Sequence, residues 1–225
     1  MTEPVTAQEL LAWGEALSGI ARTGLGFTQS LYERERFEEV LKIAAEMRAA
    51  SGSDVDHQTI AREWMKSVGV GVPGYVTPKI AVGAVVGNDD GEILLVKRSD
   101  SGLWLYPTGW ADIGYSAAEV AQKEVFEETG IQCEPVRLLS VLDGLRLGFT
   151  EVPLYSLVFY CRVTGGDLTP HPLETQDVGW FGQSDLPSPT ASADLWVDQA
   201  FAAIAGDLVV PWFDLPRSAP WEGQG

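Results

Sequence analysis

The chain has 225 residues, a formal net charge of −17 at pH 7 and an apolar content of 45%. This composition is typical of a globular protein with a sizeable core, and the negative charge disfavours a general nucleic-acid binder or adsorption to anionic membranes. The N-terminus lacks a signal-peptide pattern and no stretch approaches the roughly 18 apolar residues of a membrane span, so we expect a cytoplasmic protein. Cys133 and Cys161 form neither a metal-binding spacing nor a disulfide framework.

Residues 5 to about 70 have the pattern of three short helices. Thr6 and Ser30 each begin a capping box, in which a hydroxyl residue is followed three positions later by glutamate. Apolar residues then recur at helical spacing, and Gly24 with Gly26 is predicted to end the first helix. Short amphipathic helices are marginal alone, so these helices must pack on one another, on the rest of the chain or on a second chain.

The segment from Gly69 to Pro78 is rich in Gly and Pro, which predicts a linker and a domain boundary between residues 72 and 73. Beyond it, apolar runs bounded by turn residues predict strands, and helical patterns follow Ser116 and extend from about 191 to 205. The tail from Pro211 is predicted to be irregular. The sequence thus predicts a small all-helical domain (1–72) and an α/β (α+β) domain (73–225), a mixed sheet sandwiched between helices.

A loop and helix near the middle of the chain carry the strongest chemical pattern. Ser116 begins another capping box, and Gly130 supplies a left-handed helix end. Glu124, Glu127 and Glu128 lie three and four residues apart, so a helix places all three carboxylates on one face. Because their like charges repel, the cluster predicts an oxygen-liganded divalent cation, Mg²⁺ or Mn²⁺.

This stretch resembles the Nudix box, whose pattern is G-x5-E-x7-R-E-U-x-E-E-x-G-U, where U is an apolar aliphatic residue. Tyr115 replaces the first glutamate of the pattern, and Lys123 replaces its arginine. The half that carries the metal ligands in the family is intact, whereas Tyr115 leaves the number of metal ions open. The matching positions are Gly109, Glu124, Val125, Glu127, Glu128, Gly130 and Ile131.

The N-terminal segment is similar to the helical extension of one bacterial Nudix branch, at residues 20–25 and 35–40. Members of that branch are described as ADP-ribose or CDP-choline pyrophosphatases. The resemblance implies a Nudix-type mixed sheet between helices over about residues 78–210. We expect the helical domain to dimerise the protein or to close over the substrate, and we expect a homodimer.

The resemblance also implies the reaction: metal-dependent hydrolysis of a nucleoside diphosphate linked to another moiety. Glu124 and Glu128 are the expected direct ligands, Glu127 binds metal or orients the water, and the backbone carbonyl of Thr108 is an additional ligand. Glu174 is the candidate distal ligand or base, and with Glu124 and Glu127 it completes the predicted catalytic set.

Other residues are candidates for the base or for substrate binding because of their position in the sequence. Glu151 and His171 are alternatives to Glu174 as the base. The candidates for binding phosphates or stacking on a base are Lys97, Arg98, Trp110, Phe149 and Tyr155.

Two further functions stay open from the sequence. A non-catalytic Nudix-like nucleotide sensor is suggested by the departures at Tyr115 and Thr108. An RNA 5′-end pyrophosphohydrolase is also possible in this family, although the acidity disfavours binding of long RNA. The sequence specifies neither the nucleobase nor the second moiety.

Overall fold

The structure, a computed structural model, describes residues 4–69, 76–112 and 114–217. It divides into two compact units, which are described separately below. The first comprises Met1–Pro78 and Leu145–Pro153, and the second comprises Lys79–Gly144 and Leu154–Gly225. The predicted boundary between residues 72 and 73 lies outside the described residues. The segment 145–153, which the sequence alone assigns to the second domain, groups with the first unit.

The first unit contains the helices α1 (Ala7–Phe27), α2 (Leu31–Ala50) and α3 (His57–Lys66). The Thr6 capping box is formed at the start of α1, and the Ser30 hydroxyl accepts a hydrogen bond from the first turn of α2. These side chains satisfy backbone N–H groups that a helix start would leave unpaired. The two N-terminal helix starts are therefore confirmed.

The predicted end of α1 at its glycines is wrong. The helix continues through Gly24 and Gly26 to Phe27, and Thr28 forms its C-cap. Gly24 has a packing role instead, because a Cβ at this position would lie 2.3–2.5 Å from ring atoms of Phe37. The glycine lets the aromatic ring of α2 pack directly on the α1 backbone.

The described part of the second unit contains one eight-stranded sheet. Its helices are α4 (Ala117–Thr129) and α6 (Ala193–Ile204), and the short α5 (Gly144–Leu147) lies at the boundary between the units. Across the described parts of the chain, no helix is both long enough and apolar enough to cross a membrane. The strands are β1 (Lys79–Gly87), β2 (Ile93–Arg98), β3 (Trp104–Leu105), β4 (Thr108–Trp110), β5 (Ile131–Asp143), β6 (Leu154–Gly166), β7 (Thr175–Phe181) and β8 (Trp212–Phe213).

The sheet is mixed, with the order β3-β2-β1-β6-β5-β8, while β4 pairs with β1 and β7 pairs with β2. The pairs β1–β6 and β5–β8 are parallel and the others are antiparallel. The tail from Pro211, predicted to be irregular, instead supplies the edge strand β8. A strand of two residues is not stable alone, and β8 is held in place by backbone pairing with the long strand β5.

Helices cover both faces of this sheet, which confirms the predicted sandwich. Successive residues of β1 point to opposite faces. On one face, Val82, Ala84 and Val86 are fully buried in a core that includes the α4 residues Val120, Ala121 and Val125. On the other face, the Cα of Gly87 lies against Ile204 of α6. The sheet therefore fixes which side of α4 faces inward.

Candidate active site

Helix α4 begins and ends where the sequence predicts. The Ser116 hydroxyl accepts a hydrogen bond from the Glu119 N–H, and the Glu119 carboxylate accepts one from the Ser116 N–H at 2.6 Å. At the other end, Gly130 has φ 74° and donates its N–H to the Phe126 carbonyl. These fixed ends and the apolar face set the rotation of the helix and turn Glu128 toward the sheet.

Glu128 is a buried carboxylate, with only 4% of its surface exposed. The backbone N–H of Thr108 donates a hydrogen bond to it at 3.0 Å. Burial raises the pKa of Glu128 to about 7, although the Thr108 hydrogen bond and the charge of Arg98 act in the opposite direction. The negative charges of Glu124 and Glu174 raise this pKa further. The carboxylates thus converge on one region.

Glu124 lies directly against the backbone of the loop that precedes α4. A Cβ on Gly109 would be 2.2 Å from its Oε2 atom, so the glycine makes room for the carboxylate. Burial raises the pKa of Glu124, and Lys123 opposes this shift while Glu127 and Glu174 add to it. The close approach gives a physical reason for the glycine that begins the motif.

Glu127 occupies the outer side of the cluster and is half exposed. Lys123 lies among three carboxylates, with its Nζ 2.9 Å from Glu127, 3.2 Å from Asp112 and 3.9 Å from Glu124. Hydrogen bonds to Glu127 and Asp112 raise the pKa of Lys123, so it stays cationic. Lys123 therefore supplies positive charge at the position where the family pattern has arginine.

The loop that carries Glu174 is held against the end of α4 by backbone hydrogen bonds. The N–H of Thr169 donates to the Thr129 carbonyl at 2.8 Å, and the N–H of His171 donates to the Glu128 carbonyl at 3.2 Å. The Glu174 carbonyl accepts from Ser99, just beyond β2, at 2.9 Å. This bracing brings Glu174 to the predicted cluster, where its charge raises the pKa of Glu128.

His171, an alternative candidate for the base, has a structural role in this loop. Its Nδ1 accepts backbone N–H groups of Leu173 at 3.4 Å and Glu174 at 3.3 Å. The same nitrogen is 4.0 Å from the Glu174 carboxylate. The imidazole thus helps to shape the turn from which Glu174 projects.

We expect Gly130→Ala to loosen this loop. Its φ of 74° is unfavourable for alanine, and a Cβ would be 2.5 Å from the backbone oxygen of Asp167. Together these effects should cost about 2–3 kcal/mol, lowering the melting temperature by roughly 4–10 °C. Gly91→Ala is the matched control, since Gly91 has φ 77° with open space around it. Equal losses in both variants would show that the Asp167 contact contributes nothing.

Arg98 is the cation beside the buried Glu128. Its charge opposes the raised pKa of Glu128, and both Glu128 and Glu174 favour the charged form of Arg98. The carboxylate of Asp100 accepts hydrogen bonds from its Nε at 3.1 Å and from its Nη2 at 2.8 Å. These bonds lower the pKa of Asp100 to about 2 and hold the guanidinium in place.

The structure separates the two candidate stacking residues of the second unit. Trp110 pairs with Ala81 of β1 and lies on the same face as Lys79, whose Nζ is 5.1 Å from its ring centroid. Tyr155 pairs with Ile80 and lies on the opposite face, the one covered by α4. Tyr155 therefore shares the face of the glutamates, and Trp110 does not.

The other two binding candidates lie elsewhere in the fold. Lys97 pairs with Trp104 across β2 and β3. Phe149 lies in the segment 145–153, which belongs to the first unit together with Glu151, whose backbone oxygen accepts a hydrogen bond from Arg48. Their participation in substrate binding stays a prediction.

The donor atoms at this site suit a hard divalent cation. Within the described ranges, no group of three or more acidic, imidazole or thiol side chains stands ready to hold a metal ion. The predicted oxygen donors nevertheless fit one, because the buried Glu128 and the partly buried Glu124 both have raised pKa values. The raised pKa values mean that too little positive charge surrounds these carboxylates. A divalent cation would supply that charge, and Mg²⁺ and Mn²⁺ prefer oxygen ligands. Cys133 and Cys161 are buried in or beside the core and add no soft ligand.

Two acidic residues of this region were not recognised from the sequence. Asp112 pairs with Lys123, and Asp100 holds Arg98. Asp100 follows Arg98 by two residues in a turn, a spacing that suggests a local ion pair. Asp112 lies within the motif loop, but only the fold shows that Lys123 reaches back to it.

Comparison with known proteins gives a family assignment for both parts of the chain. The family model described as NUDIX domain matches residues 77–201, and a model described as UDP-X-like, N-terminal oligomerisation domain matches residues 8–63. A putative ADP-ribose pyrophosphatase of Bacillus subtilis strain 168, YjhB, is 37% identical over 175 residues. That match covers 77% of this chain and 80% of the relative.

Two solved structures support the same assignment. An ADP-ribose pyrophosphatase from Streptococcus suis 89-1591 is 30% identical with a TM-score of 0.54, covering 61% of this chain and 100% of its own. A UDP-X diphosphatase is 26% identical with a TM-score of 0.55, covering 93% of this chain and 100% of its own. The NUDIX match spans more than half of the chain and includes the whole acidic helix. The chain therefore belongs to the Nudix family of hydrolases, with a UDP-X-like helical domain at its N-terminus.

Proposed function

We propose that this protein hydrolyses the pyrophosphate bond of a nucleoside diphosphate linked to a second moiety. Water attacks one phosphorus, the bridging P–O bond breaks, and the products are a nucleoside monophosphate and the phosphorylated second moiety. The convergence of Glu124, Glu128 and Glu174, with Arg98 beside them, carries this proposal. Relatives named ADP-ribose pyrophosphatase and UDP-X diphosphatase act on this class of compound, which supports the same class here.

The predicted ligands of the cation are Glu124, Glu128, Glu127 and the Thr108 carbonyl. Mg²⁺ or Mn²⁺ bound there would neutralise phosphate charge and lower the pKa of a bound water. Lys123 limits repulsion at the outer side of this cluster, since it pairs with Glu127. These side chains therefore form a site with a high density of negative charge, which can bind a cation together with an anionic substrate.

Two further residues have roles that follow from their position. Glu174 lies on a braced loop, so its carboxylate can accept a proton from the attacking water. Arg98 is fixed by Asp100 and can orient a phosphate oxygen through its planar fork. The Arg98 side chain is held by its hydrogen bonds to Asp100, and Glu174 is held through the backbone hydrogen bonds of its loop.

We also propose that the protein is a homodimer through its helical domain. The family model of residues 8–63 is described as an oligomerisation domain, which supports association of some kind.

The test is product formation from ADP-ribose, CDP-choline and a UDP-sugar, each with Mg²⁺, with Mn²⁺ and with chelator. We expect release of a nucleoside monophosphate from at least one substrate, dependent on the metal and abolished by Glu124→Gln. Glu134→Gln, an exposed glutamate of β5, is the control and should retain activity. Nucleotide-dependent thermal stabilisation without product would indicate the sensor function instead, and pyrophosphate release from RNA 5′ ends would indicate the RNA-directed function.

A further inference from the structure

Thr175, the first residue of β7, has its hydroxyl group buried beside the candidate active site. Only 6% of the residue's surface is exposed. Within the parts of the chain that the structure describes, its Oγ1 atom has no hydrogen-bond partner. Buried hydroxyl groups in native proteins are almost always hydrogen-bonded, because burial without a partner costs stability. An unpaired hydroxyl at this place therefore indicates a partner that is acquired during binding or catalysis.

An irregularity in the strand pairing directs this side chain to the face of the glutamates. The register of β2 and β7 shifts just before Arg98, so that Arg98 pairs with Thr175 and Gln176 is an extra residue in β7. Directly opposed residues of two strands share a face of the sheet. Leu94 packs in the core beneath α4, and Arg98, four residues further along β2, lies on the same face. Without the extra residue, Thr175 would point to the opposite face.

Backbone hydrogen bonds hold Thr175 close to Glu128. The N–H of Thr175 donates to the His171 carbonyl at 3.1 Å, and the N–H of His171 donates to the Glu128 carbonyl at 3.2 Å. The backbones of Thr175 and Glu128 are thus linked through one intervening residue. Arg98 lies opposite Thr175 in the sheet and near enough to Glu128 for their charges to interact. The two buried side chains therefore occupy the same region of the site.

The Glu128 carboxylate can accept a second hydrogen bond. A carboxylate has about four acceptor sites on its two oxygens, and the Thr108 N–H occupies one of them on Oε2. The Arg98 side chain, the nearby cation, is hydrogen-bonded to Asp100. Carboxylates that bind metal ions are usually held in orientation by hydrogen bonds from neighbouring groups. A hydroxyl on the adjoining strand is a suitable donor for this purpose.

We infer that the Thr175 hydroxyl is a positioning residue, which donates a hydrogen bond to the Glu128 carboxylate when that carboxylate binds a cation. A hydrogen bond to an ionised carboxylate is stronger than one between neutral groups, and it would hold Glu128 in the orientation of a ligand. Thr175 thus acts through Glu128 and does not touch the substrate. This inference rests on the proposed function, because it assigns a residue to the same cation-dependent site.

The test compares Thr175→Val with Thr175→Ser in the full chain. Valine keeps the branched shape of threonine without the hydroxyl, whereas serine keeps the hydroxyl without the methyl group. In chelator, we expect Thr175→Val to raise the melting temperature by about 2–6 °C, because an unpaired buried hydroxyl is removed. Thr175→Ser should lower the melting temperature, because the lost methyl group leaves a small cavity.

With a cation, the order of the two variants should reverse. Mn²⁺ alone is the probe, and the free ion is measured by electron paramagnetic resonance. We expect Thr175→Val to weaken Mn²⁺ binding about 10-fold and to lower kcat about 10-fold or more. Thr175→Ser should stay within about threefold of the wild type in both. If Thr175 only packed, activity would follow stability, and Thr175→Ser would be the less active variant.

Thr129→Val is the control for the stability measurement. Thr129 is buried, but its hydroxyl donates to the Val125 carbonyl and accepts from the Ile131 N–H, so its replacement should lower the melting temperature. The inference is overturned if Thr175→Val is destabilised in chelator as Thr129→Val is, or if it binds Mn²⁺ as tightly as the wild type. A wild type that binds no Mn²⁺ would also overturn it. Absence of hydrolysis, with Mn²⁺ binding and both stability effects as expected, would overturn only the proposed reaction.

Discussion

Glu128→Gln should reduce hydrolysis at least about 1,000-fold while leaving the fold intact. Glutamine keeps the shape of the side chain and can still accept the hydrogen bond from Thr108. It removes the charge on which the proposed binding of a cation at this position would depend. The measurement is kcat under saturating Mg²⁺ and substrate, with Glu134→Gln as a glutamate-to-glutamine control outside the cluster.

The same variant should be more stable than the wild type at high pH in the absence of metal. Burial raises the pKa of Glu128 from about 4.5 to about 7, so the folded protein keeps a proton that the unfolded chain releases. Between these pH values the unfolded state binds fewer protons, and wild-type stability falls as pH rises. Above pH 7 the loss reaches on the order of 3 kcal/mol.

Glutamine does not ionise, so Glu128→Gln avoids this loss. We expect its melting temperature in chelator at pH 8 to exceed that of the wild type by on the order of 5–10 °C, with the difference vanishing near pH 4.5. Added Mg²⁺ or Mn²⁺ should stabilise the wild type but not the variant. If the variant were less stable than the wild type at pH 8, the Glu128 carboxylate would be stabilising the fold through a structural contact, and its buried negative charge would not be destabilising.

Local patterns in the sequence were sufficient to predict the starts of α1 and α4 and the end of α4. The boxes at Thr6 and Ser116 and the left-handed Gly130 act within one turn of backbone, so neighbouring residues specify them. Gly24 was misread as a helix end because its role depends on Phe37 in the next helix. A glycine that ends a helix and a glycine that admits a ring look the same in sequence.

The candidate site shows the same division between local and long-range information. The spacing of Glu124 and Glu128 is enough to place both on one helix face. The faces of Trp110 and Tyr155 follow from strand register, which period-two alternation alone does not determine. The approach of Glu174 depends on hydrogen bonds between its loop and the end of α4, contacts that no short motif encodes.

Gly109→Ala should lower the rate of catalysis strongly while leaving the stability of the fold almost unchanged. The new Cβ would lie 2.2 Å from Oε2 of Glu124, and the atoms it meets belong to the far end of a flexible side chain. The carboxylate can swing away, so the strand pair between β4 and β1 should survive. We expect a melting temperature within about 2 °C of the wild type and a fall in kcat of about 100-fold or more, because Glu124, the proposed ligand, would be displaced by an ångström or two from the geometry it needs.

The control is Gly182→Ala, where the nearest atom to a new Cβ is the Asp185 carboxylate at 3.7 Å and no shift is needed. A double-mutant cycle with Glu124→Gln identifies the cause of the loss. If Gly109→Ala acts by displacing Glu124, it should add little to a protein in which that carboxylate is already gone. Additive losses would instead mean that the alanine disturbs the loop itself, including the Thr108 N–H that holds Glu128, and the glycine would then position both glutamates.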